Sequence, residues 1–258
     1  MAGKSGAEGG AGIDPMHQFE VQPIIELPTV AGIYTSFTNS SLWMVLAVGL
    51  ASLLMITASR RTAIVPGRMQ LMGEMAYSFV ANMIKENVGT EGMKYFPFIF
   101  SLFMLILFCN MLGMLPYSFT VTSHLIVTFA LAATVFLLIT GVGFARHGIG
   151  FLKLFVPSGI PVVLLPLLVV IEVISYLTRP VSLSVRLFGN MMAGHTMLKI
   201  FGGFVVGLGS AGLVPLAIAP FALMVAFTGL ELLIAGLQAY VFTILTCIYL
   251  NEAIHMDH

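Results

Sequence analysis

Two apolar stretches near the C-terminal end of the chain hold most of the residues that could do chemistry. Residues 160–206 include Glu172, Arg179, Arg186, His195 and Lys199, and residues 213–250 include Glu231 and Gln238. Glu172, Ser175, Arg179, Ser182, Arg186 and Asn190 advance by three or four, so a helix places them on one stripe. A cation at the centre of a membrane helix costs roughly 2.5–3.5 kcal/mol on insertion scales. Arg186, inside SVRLFGNMMAGH (184–195), is therefore a functional candidate, and the competing reading is an arginine that snorkels to a membrane surface. Glutamate and histidine can each gain and lose a proton, whereas an arginine keeps its own at any physiological pH. Such groups on both sides of a permanent cation could carry protons up to the arginine and be stopped there. The alternative, that these groups pair and merely hold helices together, stays open for Glu172.

The elements that would position these residues are membrane helices. The 258-residue chain is 59% hydrophobic and only 9% charged, against about 25% charged in a soluble domain. Its formal net charge is zero, and the charges are gathered into a few short clusters. Cys109 and Cys247 both lie in apolar runs and read as buried small hydrophobes. Metal-ligating and phosphate-loop spacings (CxxC, HExxH, G-x-x-x-x-G-K-[ST]) and the GxSxG nucleophile motif do not occur. No cofactor, resident metal or nucleic-acid partner is expected, and no cleavable signal peptide is evident.

Residues 1–40 are glycine-rich and then mixed, with an acidic balance and too little apolar patterning to span. They read as an outward-facing segment, with VQPIIELPTV either on the membrane surface or in a short turn, ahead of one membrane domain over 41–258. Residues 41–59 are nineteen uncharged residues, long enough for one crossing. Arg60 and Arg61 follow and mark the cytoplasmic end by the positive-inside rule. The stretch 60–94 carries eight charged residues, with Met72, Met75, Ala76, Phe79, Val80 and Met83 at helical spacing, and predicts an amphipathic surface helix. The next 51 residues, 95–145, lack Asp, Glu, Lys and Arg, and predict a hairpin of two crossings turning at PYSFTVTSH (116–124). Asn110 is expected to make an interhelical hydrogen bond more readily than to conduct. His124 is expected at the outer interface, with metal binding the lesser reading. Residues 160–206, if helical, would run on the order of 70 Å against a hydrocarbon core of ~30 Å. They must tilt, break or both, with Pro166 and Pro180 as expected bends and the glycines 202–212 as an expected turn. The last stretch is also too long to stand upright. The fold class expected is an all-α membrane protein with five spanning helices plus one amphipathic surface helix, the last two spans long and steeply tilted. The N-terminus then lies outside and the C-terminus inside.

If the last two helices are antiparallel, residues at equal depth have nearly constant index sums. Arg186 with Gln238 and His195 with Glu231 fit nearly the same register, which predicts a His–Glu pair about 10–13 Å outward of Arg186. Arg186 has no obvious carboxylate at its own depth, so the anion it needs is expected from another subunit.

RPVSLSVRLFGNMMAGH (179–195) resembles the signature helix of subunit a of F-type ATP synthases, with Arg186 on that family's essential arginine. LQAYVFTILTCIYL (237–250) is similar to the family's last helix, with Gln238 on its polar mid-helix position, and NMLGMLPYSF (110–119) resembles its hairpin turn. The match runs from about residue 40 to the end. Many bacterial members carry Glu where this chain has His195 and His where it has Glu231. The exchanged pair is similar to mitochondrial and alphaproteobacterial members, which points to a bacterial inner membrane, with the mitochondrial inner membrane as the alternative. The resemblance implies two offset proton half-channels against a ring of c subunits, in a complex with peripheral-stalk b-type subunits, lipid around it and protons as the transported ion. It places Asn190, His195, Glu231 and Gln238 on the outer path, Ser182 and Glu172 on the inner path, and Arg186 between them facing the ring carboxylate. The chain is then not an enzyme by itself. The rival readings are a self-contained secondary transporter or channel, for which no internal repeat is found, and a purely structural anchor, which would not need Arg186, His195 and Glu231.

Overall fold

The computed structural model describes residues 20–25, 36–60, 64–115, 118–156 and 164–255. Expectations for residues 1–19 and 26–35, for Arg61, for Pro116 and Tyr117, and for residues 160–163 and 256–258 lie outside the described residues. Among the described residues six α-helices follow one another: α1 Asn39–Ser59, α2 Arg68–Asn87, α3 Phe96–Gly113, α4 Leu125–His147, α5 Leu165–Ser210 and α6 Val214–Ile254. A small antiparallel pairing of β1 (Pro23–Ile25) with β2 (Phe37–Thr38) precedes them, an addition to the all-α expectation. Asn39 ties this pair to the start of α1, its side chain donating to the Glu20 carbonyl and accepting from the Gln22 amide.

Five of the helical stretches are long and apolar enough to cross a membrane: Asn39–Ser59, Thr90–Gly113, Leu125–Phe155, Leu165–Ser210 and Val214–Ile254. The chain is a multi-pass membrane protein. Helix α2 is the amphipathic one, and its apolar stripe splits. Val80, Ala81, Met83 and Ile84 pack inward on the bundle, while Met72, Met75 and Phe79 remain exposed.

The hairpin of α3 and α4 turns through the short 3-10 segment Val121–Ser123. Arg146 at the end of α4 meets Glu91 at 2.5 Å, and His147 Nε2 lies 3.2 Å from the Ile254 carbonyl. The start of α3, the end of α4 and the end of α6 therefore share one end of the bundle, as a double crossing requires.

Helix α5 departs from the sequence reading in two places. It runs unbroken for 46 residues. Pro166 falls in its first turn, where the missing N–H removes no helix hydrogen bond, so it bends nothing. Pro180 is internal, and the helix continues through it. The glycines at 202, 203, 207 and 209 are likewise helical, and the chain reverses only over residues 211–213. Gly212 makes that reversal with φ +76°, a conformation glycine adopts without a side-chain clash. At ~1.5 Å per residue α5 is about 69 Å long and α6 about 62 Å, so neither can stand upright in a ~30 Å core.

The core lies where α6 meets α3, α4 and α5. Ile99, Ile106, Val135, Ile139, Leu187, Phe242, Cys247 and Leu250 are all buried. Ala235 and Ala239 are fully buried on α6, and their small side chains let a neighbouring backbone approach closely. Asn110 uses that approach, donating to the Ala235 carbonyl at 3.2 Å and accepting from Thr122 Oγ1 at 2.9 Å. This is the interhelical bond expected of it. Thr128 with Ser184 (3.0 Å) and Thr140 with Tyr176 (2.7 Å) join α4 to α5 in the same way. Both cysteines are buried and free.

Candidate functional site

The polar residues of α5 and α6 meet along the antiparallel contact between the two helices. Asn190 Nδ2 donates to Gln238 Oε1 at 2.9 Å. One to two turns further along, His195 Nε2 lies 3.4 Å from Glu231 Oε1. Glu231 is 3% exposed, and neither carboxylate oxygen accepts a hydrogen bond among the described residues. A buried polar group left so calls for a functional explanation. Gly194 is what lets the carboxylate in: a Cβ there would sit 2.7 Å from Glu231 Oε1.

The register is shifted from the expected one. Gln238 was placed at the depth of Arg186, yet its hydrogen bond goes to Asn190, one helical turn beyond. Carrying that pairing back along the two helices brings Arg186 level with Phe242, which is fully buried and apolar. Arg186 is exposed and makes no hydrogen bond or ion pair with any described residue. Ser182, one turn away on the same stripe, is exposed as well. Glu172 is half-buried and about 21 Å along α5 from Arg186, so it is not gathered into the same cluster.

His195 is about half a helical turn round α5 from Arg186, and it meets different neighbours. Besides Glu231 on α6, its Nε2 touches Thr120 Oγ1 at 3.0 Å, from the loop joining α3 to α4. The sequence reading missed Thr120, because a loop hydroxyl carries no periodic signal. It also missed the surroundings of Arg179. That guanidinium pairs with Glu252 and lies over the rings of Tyr176 and Tyr249, at 5.2 and 4.7 Å from their centroids. Tyr176 precedes Arg179 by three and Tyr249 precedes Glu252 by three, a helical spacing that could have exposed this set.

His124, in the same loop as Thr120, stacks on Phe119 with centroids 5.0 Å apart. Its Nε2 is buried with no hydrogen-bond partner among the described residues, and burial lowers its proton affinity below that of an ordinary histidine. Among the described residues no group of three or more His, Cys, Asp or Glu could hold a metal ion.

Residues 41–251 match the family model for the ATP synthase A chain. The chain is 58% identical to ATP synthase subunit a of Parvibaculum lavamentivorans over 259 residues, covering 98% of this chain and 99% of that one. It is 57% identical to ATP synthase subunit a of Pelagibacter ubique, over 95% of this chain and 99% of the other. The identity to the same subunit of Rhodospirillum rubrum is 56%, over 94% and 98% of the two chains. The chain belongs to the ATP synthase A chain family.

Proposed function

We propose that this membrane subunit of the ATP synthase forms two offset proton half-channels, with Arg186 as the electrostatic gate between them. On the outer side a proton passes Glu231, His195, Asn190 and Gln238 and loads a carboxylate of the adjacent c ring. After nearly a full rotation of the ring it leaves past Ser182 and Glu172. Arg186 attracts the ring carboxylate once that group has lost its proton. It also keeps the two half-channels apart, because a guanidinium holds its protons where a lysine would shed one on desolvation.

The observation that carries this reading is the exposed Arg186, whose guanidinium has no carboxylate partner among the described residues. A partner that brings an anion to that face completes it. The exposed apolar residues around it, Val181 and Val185 on α5, suit a packed neighbour or lipid. The lengths of α5 and α6 suit tilted helices that follow the curved wall of a ring. We place the protein in a bacterial inner membrane, with residues 1–40 and the N-terminus periplasmic, the C-terminus cytoplasmic and b-type peripheral-stalk subunits on the remaining surface. The domain over 41–258 is then one membrane body.

The test is Arg186→Ala in the reconstituted complex. ATP-driven proton pumping is expected to vanish while the complex still assembles. Normal pumping by this variant would overturn the mechanism.

A further inference from the structure

We propose that Thr120 is a positioning residue for His195, serving the imidazole Nε2 both when that nitrogen carries a proton and when it does not. The inference rests on the reading of His195 as a proton carrier on the outer path. A hydroxyl has one hydrogen to give and two lone pairs to accept with. Thr120 Oγ1 has two partners within reach, His195 Nε2 at 3.0 Å and the carbonyl of Gly113 at 3.4 Å. Gly113 is the last residue of α3, where carbonyls lack an intrahelical N–H; its oxygen accepts from Ser118 Oγ at 2.9 Å and keeps a second lone pair for Thr120. With Nε2 bare, the Thr120 hydroxyl donates to it. With Nε2 protonated, the imidazole N–H donates to Oγ1 and the hydroxyl hydrogen turns to the Gly113 carbonyl. A rotation about one C–O bond converts the two arrangements, and His195 keeps a hydrogen bond in both. Nε2 has one in-plane site, so the proton passes to Glu231 Oε1, 3.4 Å away, only when the Nε2–H swings off Thr120. The N–H bond then breaks, the O–H bond of the carboxylic acid forms, and the Thr120 hydroxyl takes up the bare nitrogen.

The mount of this hydroxyl is rigid. The Thr120 carbonyl accepts from the Ser123 side chain at 2.6 Å and from the Ser123 amide at 3.2 Å. Thr122 is bonded to Asn110, which is bonded in turn to the α6 backbone at Ala235. Thr120 is 5% exposed, and it fits only because residue 113 has no side chain, since a Cβ there would lie 2.9 Å from Thr120 Cγ2. The loop is thus tied to both α3 and α6, the helix that carries Glu231. Among the described residues, Glu231 from α6 and Lys199, one turn further along α5, are charged groups facing His195. From the loop between α3 and α4 comes the hydroxyl of Thr120.

The experiment uses the whole ATP synthase in liposomes, following ATP-driven acidification across a range of pH. Thr120→Val keeps the side-chain shape and removes the hydroxyl; pumping is expected to fall roughly tenfold, with an altered pH profile. Thr120→Ser is expected to restore most of the loss. In a His195→Gln background, Thr120→Val is expected to add nothing, because the two changes interrupt one contact. Thr120→Ala is read in its place if valine blocks assembly. Normal pumping by the valine variant, a serine variant as slow as the valine one, or additive losses in the double variant would each overturn the role of Thr120. Normal pumping by His195→Gln alone would instead remove His195 from the path, and so separates a failure of the underlying reading from a failure of this inference.

Discussion

Arg179 and Arg186 sit seven residues apart on the same stripe of α5, and they are treated in opposite ways. Arg179 is enclosed: Glu252 neutralises it, two tyrosine rings cover its faces and its side chain is only 17% exposed. Arg186 is open, with no acid from any described residue beside it. The difference lies in what α6 offers at each level. Near its end α6 supplies Tyr249 and Glu252, whereas no described residue of α6 makes a hydrogen bond or ion pair with Arg186. The carboxylates divide along the same line. Glu252 has its cation, whereas Glu231 is buried with a histidine as its only charged contact among the described residues. Satisfied charges hold α5 and α6 together at one end, and unsatisfied ones are left for work that the chain does not complete alone.

The comparison can be broken by removing one member of each class. After the loss of pumping expected for Arg186→Ala, the next largest effect on transport is expected from Glu231→Gln. It should slow ATP-driven proton flux by at least ~10-fold and leave assembly intact, and unchanged flux would take Glu231 off the path. Arg179→Gln is expected to act on stability instead. It strands Glu252 and uncovers the two tyrosines, at a cost of about 1–2 kcal/mol, between that of exposed and fully buried pairs. Thermal unfolding of the purified complex reads that cost, while pumping per assembled complex should stay within about twofold. A collapse of pumping without any loss of stability would place Arg179 in the path and erase the contrast.

The smallest effect concerns His124, a third group left, among the described residues, without a hydrogen-bond partner at one ring nitrogen. Burial holds its proton affinity down in the folded state, so the unfolded chain takes up this proton first as the pH falls below about 6.5. Stability tied to this residue is therefore complete at neutral pH and is lost with acidification. His124→Gln is expected to flatten that dependence, as read by unfolding at pH 5 against pH 8.

Much of this contrast was legible before any coordinates. Hydropathy and the clustering of charge mark the five spans, since the hydrocarbon core tolerates little else. The antiparallel numbering of His195 and Glu231 predicts their contact from chain geometry alone. Its limit shows at Gln238, because index arithmetic cannot resolve an offset of one helical turn. The glycines near the end of α5 look like a break and prove helical, since backbone groups in a hydrocarbon core have no water to bond and helical pairing satisfies them. The aromatic cover of Arg179 was legible in the three-residue spacings of α5 and α6 and was passed over, whereas Thr120 depends on how a loop is brought against a distant helix, which periodicity within one element does not encode.

The open face of Arg186 also bears on the life of the subunit before it is put to use. An unassembled copy carries a guanidinium on an otherwise apolar helix surface, and lipid gives that group poor solvation. Docking of a neighbour that supplies an anion would remove the penalty, so the residue proposed as the gate would also favour completion of the complex. A solitary copy would be the less stable form in the bilayer, marked as incomplete by a single side chain. On the proposed reading, assembly and gating would draw on the same charge.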